Sequence, residues 1–366
     1  MERVISLLRF NLVLLAGILV CFILYYGREI LILVAFAVLF SMLMNPIANW
    51  VEKKGTKRIW STVICVLLLV FIVSIFIALI TAQIQNIGEQ SAQIQQKGQK
   101  FLSQIQGFVE HQFHLSPQKQ IDLLKKHASG MGQFFARNLK LSLAGILGLV
   151  GYFVMILVLM FLFLLQREKY KSFFIYIYKG HDHEDAQKVV GDIVNVAHSY
   201  LTGMLMSMLL IAILYSIGFL IIGLENAVLL AALAASLIII PYVGAFIGGV
   251  FPFAMALLTE DSFGPALGVI GVMVFVQIID NNFIEPYVVG GEVKLSAVTS
   301  ILCLFIGGAL WGIPGVMLFL PMTGIVKVIF DHIEPLKPYG YLIGDQSKGK
   351  PSAQLLGWVK GIFKKK

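Results

Sequence analysis

The chain has 366 residues, of which 58% are hydrophobic and 13% are charged, whereas a typical soluble domain carries about 25% charged residues. Its formal net charge is +8. The basic residues lie between long apolar runs and at the C-terminus, a pattern typical of membrane orientation and not of nucleic-acid binding. Composition thus argues against a soluble globular protein and a nucleic-acid partner, and predicts an all-α, polytopic helical membrane protein.

Eight apolar segments follow in chain order, most of them near the ~20 residues that a helix needs to cross a bilayer. They are Phe10–Tyr26, Ile30–Trp50, Ile59–Ala82, Leu141–Leu165, Tyr200–Leu224, Ala227–Leu258, Phe263–Ile279 and Val298–Phe330. The first is interpreted as a span, because it is longer than the apolar core of a cleaved signal peptide. With the N-terminus inside, 19 lysines and arginines lie inside and 8 outside, which predicts that both termini are cytoplasmic.

These segments divide the chain into five parts. They are three N-terminal spans (1–82), an extracytoplasmic amphipathic helical insert (83–140), a fourth span with a cytoplasmic amphipathic helix (141–199), a C-terminal transport unit (200–335) and a basic cytoplasmic tail (336–366). The insert is interpreted as a structural cap, with a partner or gating surface as the alternative. In the tail, Trp358 and Phe363 alternate with lysines, as in an interfacial anchor on anionic lipid; the alternative is a solvated tail.

Other motifs indicate no cofactor and no metal. The three cysteines lie inside apolar runs, where a cysteine behaves as a small hydrophobe. The acids of His181–Asp185 suit the N-terminus of a helix better than a metal site. The sequence contains no Walker-type nucleotide motif, and no catalytic grouping of Ser, His and Asp occurs at membrane depth. We therefore expect a protein that is not an enzyme.

Two segments, Ala227–Leu258 and Val298–Phe330, are too long for one simple crossing. The first has 32 residues, or ~48 Å if helical. Proline and glycine interrupt both near the middle. The predicted hairpin tips are Pro241, Tyr242 and Gly244, and Ile313, Pro314 and Gly315.

Each of these two segments follows an ordinary span. The C-terminal unit therefore has the order span, hairpin, span, hairpin, with the two halves inverted, and inverted repeats with broken helices are typical of secondary transporters. The alternative is a pair of kinked, tilted spans.

A polar stretch closes the span Phe263–Ile279. Its candidate site residues are Gln277, Asp280, Asn281, Asn282, Glu285 and the following Pro286. A carboxylate at the bilayer centre costs about 2.5–3.5 kcal/mol on insertion scales, so such groups need partners or water. We expect them to line the path of a small polar solute, with a proton or sodium as the coupling ion. The alternative is a helix end at the membrane interface.

Three motifs resemble those of the autoinducer-2 exporter (PerM-like permease) family, and the resemblance covers nearly the whole chain. They are LMNPIANWVEKKGTKR (Leu43–Arg58, with the structural motif Asn45-Pro46), IIPYVGAFIGG (Ile239–Gly249), and DNNFIEPYVVGG (Asp280–Gly291) followed by GGALWGIPGVMLFLP (Gly307–Pro321). Many members carry His-Pro after the third motif, where this chain has Ser296-Ala297, which leaves the substrate open.

The resemblance implies a bacterial inner-membrane permease that forms homo-oligomers, with members linked to autoinducer-2 export or to sodium/proton antiport. We predict a secondary transporter that exports a small polar solute similar to autoinducer-2. The alternatives are a sodium (cation)/proton antiporter and a membrane scaffold without transport activity.

Overall fold

The computed structural model describes residues 2–89, 96, 143–177, 183–241, 243–260, 262–289 and 295–345. Its helices are α1 (Glu2–Tyr26), α2 (Arg28–Lys53), α3 (Arg58–Glu89), α4 (Leu143–Leu165), α5 (Arg167–Ile177), α6 (His183–Ile222), α7 (Ala227–Leu237), α8 (Val243–Thr259), α9 (Phe263–Ile279), a π-helix (Asp280–Val289), α10 (Ala297–Trp311), α11 (Ile313–His332), a 3₁₀ turn (Glu334–Leu336) and α12 (Lys337–Ile343).

The prediction of an all-α membrane protein is confirmed. Within the described ranges, five helices are long and apolar enough to cross a membrane, and the bent pair α4–α5 would be a sixth. The shorter apolar helices are the end of α1 together with α7, α8 and α10. The insert after residue 89 (except for residue 96), His181 and Asp182, Tyr242, and the tail from residue 346 lie outside the described residues.

The N-terminal half is a bundle in which α2, α3 and α4 share one apolar core. Small residues bring the helices close, since Ala37, Ala48 and Cys65 are fully buried. The Ser61 hydroxyl donates to the Ala48 carbonyl at 2.8 Å and so joins α3 to α2 across the turn between them. These contacts make the first half a packed helical scaffold.

Helix α6 is the central element of the C-terminal half. It has 40 residues, which corresponds to ~60 Å, so the predicted amphipathic helix and the span that follows are one continuous helix. One core joins α6 to α7, α8, α9 and the π-helix, while a second joins α6 to α2, α10 and α11. Helix α6 therefore contacts both of the broken segments.

Both broken segments are antiparallel helical hairpins, as predicted. In the first, Gly248 on α8 lies so close to α7 that a Cβ there would be 2.6 Å from the Ala234 carbonyl oxygen. In the second, the rings of Trp311 and Phe319 are 5.2 Å apart and Cys303 Sγ lies 3.0 Å from Thr323 Oγ1. In each hairpin, residues further along the first arm contact residues earlier in the second arm. The chain thus reverses direction, and the kinked-span alternative is wrong.

The tip of the second hairpin differs from the prediction by one to three residues. The break is at Gly312, with φ 63° and ψ −140°, a conformation open to glycine at little cost. Ile313 and Pro314 already belong to the first turn of α11. In a first turn the lack of an N–H on proline costs no helical hydrogen bond, because those N–H groups have no partner within the helix. Gly315 is buried within α11 and packs against Gly307 of α10.

Candidate functional site

The polar stretch lies where α9 changes its helical geometry. Helix α9 ends at Ile279 and continues directly as a π-helix of 10 residues from Asp280. Pro286 lies inside this π-helix. π-Helical turns are rare and occur frequently at functional sites. This change to a wider helical turn was not predicted from the sequence.

The amides of the stretch are hydrogen-bonded along the helix. The Gln277 Nε2 donates to Asn281 Oδ1 at 2.9 Å, so these two side chains lie on one face of the helix. The Asn282 Nδ2 donates to the carbonyl of Ile278 at 2.8 Å. Both asparagines are exposed to the surroundings of the chain, and each retains donors and acceptors for a bound solute.

In this stretch, the carboxylate of Asp280 has a buried oxygen atom that lacks a hydrogen-bond donor within the part of the chain that the structure describes. Its side chain is partly buried, and its Oδ1 is buried without a hydrogen-bond partner among the described residues. The hydroxyl of Ser207 on α6 interacts with this carboxyl, and the exposed carboxylate of Glu285 lies within electrostatic range of it. A buried oxygen that lacks a donor would be satisfied by a proton, a cation or a solute hydroxyl.

Helix α6 supplies polar side chains that the sequence prediction missed. Tyr200, Ser207 and Tyr215 are 4%, 6% and 4% exposed, respectively. Tyr200 lies within electrostatic range of Glu285, and Tyr215 within range of Asp280. Intervals of seven and eight residues put these three side chains on one face of a helix. That spacing was a usable signal in an otherwise apolar span, although only the structure shows which helix faces them.

The first hairpin belongs to the core around the π-helix. Ile284 of the π-helix is buried together with residues of α7 and α8, and Ile238, at the end of α7, packs against the same core. Pro241 is partly buried at the tip and Gly244 is buried in the first turn of α8. This hairpin and the polar stretch therefore share one apolar core.

The tip of the second hairpin is attached to a different part of the molecule. The Trp311 Nε1 donates to the Leu24 carbonyl of α1 at 2.8 Å, which fixes the tip region to the N-terminal bundle. Nearer its base, Leu320 and Val328 of α11 pack around Tyr200. The base of this hairpin, and not its tip, therefore adjoins Tyr200, which lies within electrostatic range of Glu285.

The motif Asn45-Pro46 lies within the N-terminal bundle. Pro46 is inside α2, which continues to Lys53, so this proline does not end the second span. The Asn49 Nδ2 donates to Asn45 Oδ1 at 3.5 Å, one turn away. The same motif contains Glu52, whose Oε2 accepts from Arg167 Nη2 at 2.5 Å. This ion pair between α2 and α5 was not predicted.

Comparison with known proteins gives a consistent result. The family described as "AI-2E family transporter" matches residues 12–334. The "Putative transport protein YueF" of Bacillus subtilis (strain 168) is 28% identical over 304 residues, covering 80% of each chain. The "Putative transport protein YhhT" of Escherichia coli (strain K12) is 24% identical over 94% of each chain. The "AI-2 transport protein TqsA" of Escherichia coli (strain K12) is 29% identical over 116 residues, 32% of this chain and 33% of that protein.

Proposed function

Since the chain belongs to the AI-2E transporter family, we propose that it is a secondary transporter that exports a small polar solute from a bacterial cell. An autoinducer-2-like signal is the favoured substrate, because a relative in the matched family is named for AI-2 transport. Transport is coupled to an ion gradient through Asp280. Membership of a transporter family favours transport over the alternative of a membrane scaffold.

The observation that carries this proposal is the buried Oδ1 of Asp280, which has no hydrogen-bond partner in the described part of the chain. A carboxylate within a membrane-spanning segment is expensive unless a partner or water compensates it. Here Ser207 contributes one interaction, and the unfilled acceptor is a place for a proton or a sodium ion. A permanent structural role would instead require a full set of protein donors.

The remaining residues take roles that follow from their positions. Asn281 and Asn282 are exposed and offer hydrogen bonds to the hydroxyl groups of a small solute. Glu285 lies nearer the end of the segment and within electrostatic range of Tyr200. It acts as the acidic group at the end of the path that is nearer to water. Pro241 and Gly244 lie at the tip of the first hairpin, which shares an apolar core with Ile284 of the π-helix, so movement of this hairpin would change the width of the path.

Transport by purified protein in proteoliposomes tests the proposal. Wild-type protein is assayed first with autoinducer-2 and then with sodium, each against an imposed pH gradient. Asp280→Asn keeps the size of the side chain but removes its titratable charge, so we expect it to abolish pH-dependent transport. Glu285→Gln should have a smaller effect because this side chain is exposed.

The matched control is Asp192→Asn, which removes a partly exposed carboxylate of α6 that lies 3.4 Å from His332 Nε2, outside the polar stretch. Wild-type transport by Asp280→Asn, Asn281→Ala and Asn282→Ala together would show that the polar stretch is only a helix end at the interface.

A cation/proton antiporter is the second candidate, and the same unpaired oxygen of Asp280 favours it. The two functions differ in whether an organic solute is needed. Sodium-dependent proton movement by wild-type protein without any solute, lost in Asp280→Asn, would support the antiporter. Solute movement that responds to the pH gradient but not to sodium would support the exporter.

The proposed orientation has both termini in the cytoplasm, because 19 of the positively charged residues fall inside and 8 outside. The proposed location is the bacterial inner membrane, and the proposed assembly is a homo-oligomer. Cysteines introduced in residues 83–140 should react with an impermeant thiol reagent added outside intact cells, whereas cysteines in residues 360–366 should not. Labelling of the tail from outside would reverse the topology.

A further inference from the structure

Helix α5 leaves the membrane bundle at a steep angle. It turns by 69° from α4 at Gln166, and none of its residues with described side-chain exposure is buried. Its aromatic side chains are instead exposed, with Phe173 at 55% and Phe174 at 56%. A short helix that bends away from a span and exposes both aromatic and basic residues suits the headgroup layer of a bilayer, where amphipathic helices lie.

The turn between α2 and α3 is at the same end of the bundle. The ion pair between Glu52 and Arg167 joins the end of α2 to the start of α5. On either side of this turn, Trp50 is 59% exposed and Trp60 is 62% exposed. The Lys54 Nζ lies 3.4 Å from the centroid of the Trp50 ring. Exposed tryptophans of this kind mark the level of the membrane–water interface.

Positive charge dominates this end of the molecule. The turn and the first residues of α5 carry seven basic side chains and two acidic ones: Lys53, Lys54, Lys57, Arg58, Arg167, Lys169 and Lys171 against Glu52 and Glu168. One acid, Glu52, is already engaged by Arg167. The other, Glu168, is 3.9 Å from Arg167 Nε. Most of the positive charge therefore has no carboxylate within this region to balance it.

The two arginines retain unused hydrogen-bond donors. In the described part of the chain, Nε and Nη2 of Arg58 and Nε and Nη1 of Arg167 have no hydrogen-bond partner. A guanidinium carries five N–H donors, and leaving them unpaired away from water is costly. Phosphate oxygens accept from a guanidinium in a bidentate manner. The Arg58 residue as a whole is only partly buried, so its guanidinium lies close to the surface where a phosphate would bind.

From these observations we propose that the α2–α3 turn and α5 form a binding site for the phosphate headgroup of an anionic phospholipid. Arg58 and the lysines of the turn bind the phosphate. Trp50 and Trp60 lie beside the part of the acyl chains next to the headgroup. The face of α5 that carries Phe173 and Phe174 lies in the bilayer. A free phosphate would not use the exposed aromatic side chains, and a nucleic acid would not require them at the membrane level.

Lipid binding to the purified full-length chain tests this site. Isothermal titration calorimetry in a neutral detergent would compare dioctanoyl phosphatidylglycerol, dioctanoyl phosphatidylcholine and inorganic phosphate. We expect phosphatidylglycerol to bind at least about 100-fold more tightly than the other two, because each basic residue near a membrane surface contributes about fivefold in affinity for anionic lipid and the turn carries several. Equal binding of both lipids, or equal binding of inorganic phosphate, would overturn the proposal.

Substitutions distinguish binding at this site from a general effect of the positive charge of the protein. Arg58→Gln should weaken phosphatidylglycerol binding about fivefold, and the triple variant Lys53→Gln, Lys54→Gln and Lys57→Gln should weaken it by about 100-fold. The matched control is Arg28→Gln, since Arg28 is a basic residue at the opposite end of α2. The triple variant changes only exposed side chains, so it remains informative if Arg58→Gln does not fold. Equal loss in Arg28→Gln would contradict a localised site.

The position of α5 is measured separately in liposomes. A nitroxide attached at Phe173→Cys should be accessible to oxygen dissolved in the bilayer, whereas one at Tyr339→Cys, on exposed α12, should be accessible to a water-soluble relaxation agent. Strong dipolar coupling between two copies at position 173 would instead identify a second chain as the occupant of this face. Either that result or full water accessibility at position 173 would overturn the bilayer placement.

Discussion

The two helical hairpins share one packing device but are attached to different parts of the molecule. In each, glycine lets the backbones of the two arms approach closely, as at Gly248 in the first and Gly307 in the second. The first hairpin packs in the core that contains Ile284 of the π-helix. The second is fixed to α1 through Trp311. The first hairpin thus shares a core with the polar stretch, whereas the tip of the second hairpin is tied to α1 in the N-terminal half.

This difference predicts distinct consequences of loosening each hairpin. Disturbing the first should alter transport through the π-helix, whereas disturbing the second should mainly lower the stability of the whole bundle. The pseudo-symmetry seen in sequence therefore does not imply equivalent roles. The role of each hairpin depends on the elements that it packs against, because those contacts limit how far the hairpin can move.

The largest effect is expected where a side chain would collide with a backbone carbonyl. A Cβ at Gly315 would overlap the Gly307 carbonyl, and one at Gly244 would overlap that of Leu237. Gly315→Ala and Gly244→Ala should each cost about 1–3 kcal/mol, the range for overpacking. Thermal unfolding in detergent measures the loss.

The control for this pair is Gly271→Ala in α9, where an added Cβ meets nothing within 4 Å. This change should be neutral or stabilising by up to ~1 kcal/mol, because alanine favours a helix more than glycine does. At equal destabilisation, Gly244→Ala should impair transport more than Gly315→Ala does. The reverse ranking would contradict the division of roles between the hairpins.

A second effect is expected at the sharp tip of the second hairpin. Gly312 has φ 63° and no atoms near its Cβ position, so Gly312→Ala introduces backbone strain without a collision. We expect a loss of about 1–3 kcal/mol. In the described part of the first hairpin, no residue has a positive φ, so Pro241→Ala should have a smaller effect. Unfolding temperatures of the two variants test this contrast, and equal shifts would contradict it.

A smaller effect is expected from loss of the bond between the second tip and α1. Trp311→Phe retains an aromatic ring against Phe319 but removes the donor to the Leu24 carbonyl. The expected loss is about 0.5–1.5 kcal/mol, the usual value of one hydrogen bond. Hydrogen exchange should show faster opening in α1 and α10. Unchanged exchange there would mean that the second hairpin is held by apolar contacts alone.

The smallest effect is expected at the contact between Cys303 and Thr323, which joins α10 to α11 at 3.0 Å. The double variant Cys303→Ala with Thr323→Val removes both polar partners together, and such paired replacement is often nearly neutral. Thr323→Val alone should change stability by no more than about 1 kcal/mol. A larger loss in the double variant would show that this pair, and not the glycine contacts, holds the arms together.

Much of the fold could be predicted because membrane length and chain breakers are local signals. The two hairpins followed from Pro241 and Pro314 together with their glycines, and both reversals are observed. The tip at Gly312 was missed because a proline was assumed to lie at the break. A proline is also accommodated in the first turn of the next helix, and sequence does not distinguish these two positions.

Only the part of the candidate site at the end of α9 and in the π-helix could be predicted, and not the part on α6. Consecutive polar residues after an apolar span mark Asp280 and its neighbours without reference to any other helix. Their partners on α6, Ser207 and the two tyrosines, are single polar residues spread over an apolar segment. Their role depends on which helix packs against them, and that contact is decided by the shapes of distant surfaces.

Sequence alone was sufficient for the helical class, the broken segments and the polar stretch, since each depends on hydrophobicity and backbone chemistry within a short window. Tertiary structure decided the π-helix, the grouping of Asp280 with Ser207, and the pairing of Glu52 with Arg167 at positions 115 residues apart. The physical reason is that a buried polar group is stabilised by whichever partner the packed fold brings to it. That partner is set by the packing of whole helices and is absent from the local sequence.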